Sequence, residues 1–159
     1  MIEKEDVFNN VVDFLFKLEG FYSNDLDDIG GETVYGISKK YHPEWEGWKY
    51  LKECKEKGWT VDMERLKGMA KRFYYENYYK DYVIESGNWN EVRFLCAVNI
   101  GKNAEKRIYE KSGKSFFDYI VNMVDYYIKI SYKGKNIKFL RGWIRRIIKI
   151  YWWMRGKEK

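Results

Sequence analysis

The sequence predicts a mainly α-helical fold in one domain, and two observations lead to this prediction. Apolar residues recur at helical spacing along most of the 159 residues. Only one long segment, residues 20–36, departs from that pattern and is rich in Asn, Asp and Gly. A chain of this length typically forms a single domain with its own core. We therefore expect one domain, residues 1–159, with a Gly/Asp-rich loop or short hairpin after the first helix.

The first helix and the segment after it can be placed from caps and breakers. Asp6 is predicted to cap a helix that ends near Glu19-Gly20. Its apolar face would contain Val7, Val11, Leu15 and Leu18. After the Gly-rich segment, residues 37–41 are predicted to form one helical turn, which His42-Pro43 ends.

The remaining chain is predicted to be a succession of helices separated by short turns. Thr60 is the expected cap of the longest helix, Ser115 caps another, and Asn136 begins the last. The predicted helices cover residues 45–57, 60–82, 88 or 90 to 101 with a continuation through 107, 116–130 and 136–154.

Composition excludes several kinds of chemistry. His42 is the only histidine, and Cys54 and Cys96 are the only thiols, so neither a His-rich zinc site nor a disulfide framework fits. The two cysteines could form one disulfide, but two buried free thiols are the expectation. No cofactor or metal is expected, and a nucleophile activated by His42 is disfavoured. The net charge of +6 permits an anionic partner such as nucleic acid, anionic lipid or a wall polymer.

Carboxylates gather in and beside the Gly-rich segment, where chemistry is most expected. Glu19 closes a helix beside apolar neighbours, and such surroundings favour the protonated form that a general acid needs. Asp28 lies in a polar loop that keeps a carboxylate ionised, and a reversal at Gly30-Gly31 could return Asp28 and Thr33 toward Glu19. One protonated and one ionised carboxyl across a cleft suit glycoside hydrolysis.

Simpler explanations exist for the same residues. Glu19 could be a solvated carboxylate at a helix end, and Asp25, Asp27 and Asp28 could serve turns and caps. A calcium loop is disfavoured because the twelve-residue spacing and its final Glu are missing.

The same residues resemble a known family. Residues 19–25, 28–33 and 36–37 (EGFYSND, DIGGET and GI) are similar to the E-G-G-Y-S-N-D-P-x-D-P-G-G-x-T-x-x-G-I signature of the glycoside hydrolase family 108 N-acetylmuramidases. Weaker similarities follow in the expected order at residues 59–64, 78–79, 97–101 and 139–146. They extend the resemblance over nearly the whole chain.

The resemblance implies a lysozyme-like helical fold and a peptidoglycan hydrolase. In that reading Glu19 protonates the glycosidic oxygen of the β-1,4 bond from N-acetylmuramic acid to N-acetylglucosamine. Asp28 would stabilise the oxocarbenium-like transition state or act as a base on water, and Thr33 would hold that water. A phage endolysin is the expected setting, and the enzyme is expected to be a monomer without a cofactor.

Four positions depart from the family pattern. The loop prolines are replaced by Leu26 and Ile29, the second motif glycine by Phe21, and an expected Asp by Leu95. None of these changes removes one of the candidate catalytic residues.

Aromatic residues make up 19% of the chain, and sugars bind flat aromatic faces together with polar groups. The predicted glycan contacts are Tyr22, Asn24, Tyr79 and Asn99. Tyr35, Tyr78 and Trp89 are further candidates. The alternative is that most of these rings belong to the core.

The last predicted helix joins Arg and Lys to Trp and Ile, a composition that suits an anionic membrane surface. The alternative is a closing helix that packs on the core. The acidic N-terminus does not resemble a signal peptide, so synthesis in the cytoplasm and action on the wall after release or export are expected.

Two other classes of function stay open at this stage. One is an inactive wall-binding protein that serves assembly or secretion. The other is a basic helical module that binds nucleic acid, although no nucleic-acid partner is expected because no binding motif is present.

Overall fold

The computed structural model describes residues 2–24, 31–84, 89–133 and 136–156, with the side chains of residues 2–5 and 84 excepted. It confirms the predicted mainly α, lysozyme-like class, with a small antiparallel sheet directly after the first helix. The chain divides into two compact units, Met1–Lys80 and Asp81–Lys159. Among the described residues, no helix is long and apolar enough to cross a membrane.

The first unit contains three helices, a three-stranded sheet and a π-helical segment. These are α1 (Ile2–Glu19), β1 (Tyr22–Ser23), β2 (Thr33–Val34), β3 (Ile37–Ser38), α2 (Glu46–Lys57), α3 (Met63–Tyr74) and the π-helical segment Tyr75–Tyr79. A further short helix, α4 (Lys80–Ile84), continues the same helical run into the second unit.

Helix α1 provides much of the core of the first unit. Val11, Val12 and Leu15 are fully buried, as are Leu66 and Ala70 of α3. Helix α1 begins before Asp6, which lies inside the helix, so the predicted cap at Asp6 is wrong. Helix ends are weakly specified by sequence, and a cap residue can also sit on an exposed helical face.

Two lysines of α3 attach it to α1 through ion pairs. Lys67 Nζ lies 3.0 Å and Lys71 Nζ 3.3 Å from Asp13 Oδ1. Partial burial opposes ionisation of Asp13, but the contacts from Lys67 and Lys71 outweigh it and lower the pKa of this carboxyl. Lys71 also donates a hydrogen bond of 2.9 Å to the side-chain oxygen of Asn9.

The predicted helical turn at residues 37–41 is wrong, because Ile37 and Ser38 form strand β3. Strand β2 pairs antiparallel with both neighbours, Val34 opposite Tyr22 of β1 and opposite Ile37 of β3. Ile37 is 1% exposed. An apolar residue in a short segment can be buried by a strand as well as by a helix, so this pattern alone did not decide between them.

The long predicted helix of residues 60–82 is present with two changes. Asp62, not Thr60, is the cap, and its side chain accepts a 3.0 Å hydrogen bond from the backbone N–H of Arg65. The run also widens into the π-helical segment before α4. Helix α2 ends as predicted at Gly58, whose φ of 67° provides the left-handed residue that commonly terminates a helix.

The second unit is formed by helices at nearly the predicted positions. They are α5 (Asn90–Ile100), α6 (Lys102–Lys111), α7 (Phe116–Ser131), a 3₁₀ turn (Asn136–Phe139) and α8 (Leu140–Met154). Ser115 caps α7 as predicted, since its hydroxyl accepts a hydrogen bond of 3.3 Å from the N–H of Asp118.

A buried ion pair lies in the core of the second unit. Arg93 is 2% and Glu105 0% exposed, and the guanidinium donates to both carboxylate oxygens at 2.9 and 3.2 Å. The hydroxyls of Tyr82 and Tyr119 each donate to Glu105 at 3.1 Å. The guanidinium also lies 3.6 Å from the ring centroid of Tyr109. A buried charge is tolerated only when it is paired and hydrogen-bonded in this way.

Both cysteines are free and buried. Cys96 lies against this cluster on α5, and complete burial raises the pKa of its thiol to about 12. The thiol therefore stays protonated at neutral pH and behaves as a small apolar side chain.

We expect Glu105→Gln to destabilise the protein by about 3–5 kcal/mol, because Arg93 would stay buried without a counter-charge. Urea unfolding followed by circular dichroism measures this. Glu110→Gln, on the exposed side of the same helix, is the matched control and should change the free energy of unfolding by less than about 0.5 kcal/mol. Equal effects of the two variants would contradict a structural role for the buried pair.

Candidate active site

Glu19 is the last residue of α1 and lies half-buried where the helix meets the sheet. Gly20 follows with a φ of 75°, and its N–H donates to the carbonyl of Phe16 at 2.9 Å. This left-handed glycine ends the helix and turns the chain into β1. The helix end thereby fixes the position of the Glu19 backbone.

The turn between β2 and β3 approaches the Glu19 side chain closely. Tyr35 and Gly36 form its two central residues, with φ values of 50° and 79°. Positive φ at both positions is what a tight type I′ hairpin requires. A Cβ at Gly36 would lie 2.7 Å from Cγ and 2.9 Å from Cδ of Glu19. The hydrogen at this position therefore allows the hairpin to contact the carboxyl-bearing side chain.

Tyr35 is a residue with a large side chain in a backbone conformation that favours glycine, and its contacts compensate for the strain. Its ring packs on Phe16 at 4.5 Å and on Phe21 at 5.2 Å between centroids. Its N–H donates to the Phe21 carbonyl at 2.7 Å, and its carbonyl accepts a hydrogen bond of 2.7 Å from the Tyr74 hydroxyl. These contacts hold the hairpin in place.

Two tyrosines of the helical run adjoin the Glu19 side chain. The Tyr74 hydroxyl would lie 2.9 Å from a Cβ at Gly36, so it borders the same small space as Glu19. Burial and, to a smaller extent, the negative charge of Glu19 raise the pKa of Tyr78. Tyr78 is therefore neutral at neutral pH and close enough to Glu19 to respond to its charge. It lies in the π-helical segment, a kind of element that often occurs at functional sites.

Of the other two predicted catalytic residues, the structure describes Thr33 but not Asp28. Thr33 is half-buried on β2, opposite Ser23 and Ser38 and three residues before Gly36. It therefore belongs to the hairpin that contacts Glu19. Asp28 lies outside the described residues, so its role stays a prediction.

The predicted glycan contacts divide into exposed and buried residues. Tyr22 is 54% exposed on β1, and Asn24 directly after this strand is exposed as well. Tyr79 is 5% exposed and packs on Phe8 with ring centroids 4.8 Å apart. This ring therefore belongs to the core, which was the alternative to sugar binding, and it offers no face for a sugar.

Asn99 lies near the end of α5 in the second unit. Its side-chain oxygen accepts a 2.6 Å hydrogen bond from the Tyr127 hydroxyl, and the Tyr127 ring stacks on Trp143. The amide is thus held in one orientation. Trp89, a further candidate, is half-buried and packs its ring against Tyr109, Phe116 and Tyr119.

Sequence reasoning missed Gly36 and Tyr74 as parts of this site. Gly36 belongs to the motif on which the family resemblance rests, and a glycine in such a motif can indicate a close contact that leaves no room for a side chain. Tyr74 and Tyr78 are four residues apart and share a helical face, but nothing in the sequence places that face against the end of α1. Among the described residues, no group of His, Cys, Asp and Glu could hold a metal ion.

A half-buried carboxyl at a helix end, beside a hairpin turn and a tyrosine hydroxyl, is a candidate for one of the carboxyl groups with which glycosidases cleave glycosidic bonds. The comparison with protein families agrees, because the glycosyl hydrolase 108 family model matches residues 12–101. This range is more than half of the chain and includes Glu19, Thr33 and Gly36, and the protein belongs to that family. It is thus a glycosidase by family, and the family supports a peptidoglycan-hydrolase function.

No curated protein and no solved structure significantly matches the chain. The family match ends at Gly101, so the similarity at residues 139–146 lies beyond it. Leu95, which replaces a family Asp, is fully buried in α5, and an apolar side chain suits that position.

We expect Gly36→Ala to destabilise the protein by about 1–3 kcal/mol more than Gly58→Ala. Both glycines have positive φ, so both substitutions strain the backbone similarly, by about 1–2 kcal/mol. Only the methyl group at position 36 meets Glu19 and Tyr74, whereas the space beside Gly58 is open. Urea unfolding of the two variants measures the difference. Equal losses would show that close packing at Gly36 does not matter.

Proposed function

We propose that the protein is an N-acetylmuramidase that hydrolyses the β-1,4 bond between N-acetylmuramic acid and N-acetylglucosamine in peptidoglycan. The observation that carries this proposal is the Glu19 carboxyl, half-buried at the end of α1 beside the glycine of the hairpin and the Tyr74 hydroxyl. Membership of the glycosyl hydrolase 108 family supports it.

In the proposed mechanism, Glu19 donates its proton to the glycosidic oxygen as the bond to the muramyl carbon breaks. Positive charge then develops on the sugar ring, and Asp28 stabilises it or removes a proton from the attacking water. Thr33, on the strand that leads into the hairpin turn, orients that water. Tyr78 supplies a neutral hydroxyl and leaves the Glu19 carboxyl as the group that transfers the proton.

The glycan is proposed to lie along the exposed start of the hairpin, over Tyr22 and Asn24. Asn99, held by Tyr127, is proposed as a further polar contact. The biological setting that we propose is lysis of a bacterial wall by a phage endolysin that acts as a monomer. The basic charge of the chain suits an anionic wall.

We expect Glu19→Gln to keep the fold and to release reducing ends from purified sacculi at least about 100-fold more slowly, because a glutamine cannot donate the proton. Glu56→Gln, an exposed carboxylate of α2 that pairs with Lys52, is the matched control and should keep its activity. Wild-type-like release by Glu19→Gln would refute the assignment.

The products distinguish the alternatives. Mass spectrometry should find reducing N-acetylmuramic acid ends; a glucosaminidase would leave reducing N-acetylglucosamine, and a transglycosylase would leave anhydro sugars. Lack of release by the wild-type protein, together with binding to sacculi, would instead support the wall-binding alternative, and binding to DNA or RNA would support the nucleic-acid alternative.

We also propose that α8 attaches the protein to anionic membrane surfaces. Ile147 and Ile150 are buried, so one side of this helix packs in the second unit. The opposite side carries a stripe at helical spacing that is open to solvent. It consists of Arg141, Arg145, Ile148 and Trp152. A helix can therefore serve the core and still present basic and apolar groups to a bilayer.

We expect the full-length protein to bind vesicles with 30% anionic lipid at low salt more tightly than neutral vesicles. Arg141→Gln with Arg145→Gln should weaken this binding about 30-fold, at roughly 1 kcal/mol for each charge near the surface. Lys17→Gln with Lys106→Gln removes the same charge elsewhere and is the control in a sedimentation assay. Equal losses, or no binding by the wild-type protein, would contradict a specific role for α8.

A further inference from the structure

A groove of about 650 Å³ lies in the first unit, beside the base of the β2–β3 hairpin. One wall is a stripe of helix α2 and the residue before it. The residues of this wall are Trp45, Trp48, Lys49, Leu51, Lys52 and Lys55. The opposite side includes Glu32 and Lys39, which flank the hairpin strands and are joined by a 2.9 Å hydrogen bond from the Lys39 N–H to the Glu32 carbonyl.

The two indole rings of the groove are fixed, and their N–H groups are unusual. Trp45 folds back over Gly47, where a Cβ would lie 2.3 Å from its ring, and it meets Trp48 edge-on at 5.6 Å. The rings are 5% and 7% exposed. Among the described residues, neither indole nitrogen has a hydrogen-bond partner. Buried donors are normally satisfied, so these two are unusual, and because both atoms are buried an acceptor on a ligand reaches them only if the rings shift.

The charge of the groove favours an anionic acceptor. Four lysines and two glutamates line it. Glu32 is paired with Lys39 at 2.7 Å, and Lys52 with Glu56 at 3.7 Å. Within the described part of the chain, Lys49 and Lys55 form no ion pair. Besides these paired groups, two ammonium groups and the Glu44 carboxylate line the groove next to apolar side chains, which suits a carboxylate attached to a hydrocarbon or peptide body better than a bare ion.

The position of the groove relates it to the proposed active site. Glu32 directly precedes β2, and the turn that follows β2 contacts Glu19, so at the rise of an extended strand the groove begins on the order of 10 Å from that turn. An extended peptide of four residues spans about the same distance. A peptide branch on a muramyl residue bound near Glu19 could therefore reach the groove.

We propose that this groove binds the carboxylate-bearing stem peptide of peptidoglycan and so selects peptide-substituted glycan. The proposal rests on the proposed muramidase function, because that function places the muramyl residue near Glu19. Lys49 and Lys55 attract the carboxylates, and the indole N–H groups of Trp45 and Trp48 donate to them. The apolar wall formed by Leu51 and the rings covers the peptide body.

The test uses the full-length Glu19→Gln variant, so that ligands are not cleaved. Calorimetry compares three ligands: the disaccharide carrying a tetrapeptide with free carboxylates, the same ligand with amidated carboxyls, and the disaccharide alone. The free-carboxylate ligand should bind tightest. Adding Lys49→Gln and Lys55→Gln should weaken its binding on the order of 5-fold and leave the disaccharide alone unaffected. Lys106→Gln with Lys133→Gln, two exposed lysines elsewhere, is the matched control and should change nothing.

The indole N–H resonances give a second readout that a purely structural effect would not produce. The resonances of Trp45 and Trp48, identified with Trp48→Phe, should shift with the free-carboxylate ligand and stay in place with the amidated one. Equal binding of the three ligands, or an unaffected lysine double variant, overturns the proposal. Inorganic phosphate that displaces the peptide and itself depends on these lysines would also overturn it, in favour of a phosphate site. Failure of the wild-type protein to cleave sacculi would instead refute the proposed function.

Discussion

The close contact between the β2–β3 turn and the Glu19 side chain is the constraint on which the candidate active site depends. It is possible only because Gly36 has no side chain and because the turn tolerates positive φ at two successive residues. The strain at Tyr35 is offset by two ring contacts and by the hydrogen bond from the Tyr74 hydroxyl. The same contacts that stabilise the hairpin therefore also surround the Glu19 carboxyl, so folding of the hairpin also positions the proposed general acid.

The second unit is organised around polar groups in an apolar core. The Glu105 carboxylate accepts hydrogen bonds from Arg93 and from two tyrosines. Such a cluster contributes little net stability relative to apolar packing, but it is costly to break, so it favours one arrangement of α4, α5, α6 and α7 over others. Tyr82 belongs to the helical run that starts at Met63, and this run joins the two units along the chain.

The basic and apolar surfaces of α2 and α8 lie on helices that also contribute to the core. In α2 and α8 one side packs on the interior, and the other side presents basic residues next to aromatic or aliphatic groups. The abundance of aromatic residues is explained in the same way. Some rings, such as Tyr79 and Tyr119, are buried in the cores, others, such as Trp89, are half-buried, and others, such as Tyr22 and Trp152, are open to solvent. A basic chain with these exposed rings suits anionic carbohydrate and lipid surfaces.

The sequence alone determined the helical class, most helix boundaries, the Gly/Asp-rich interruption after the first helix and the family. These follow from local rules: apolar spacing, capping residues such as Ser115, terminating glycines such as Gly58, and a contiguous motif that begins at Glu19. The tertiary structure decided which side chains meet. The contact of Gly36 with Glu19, the burial of Tyr79 against Phe8 and the pair Arg93–Glu105 depend on elements that are separate in sequence. A residue pattern records which faces are apolar but not which face packs against which.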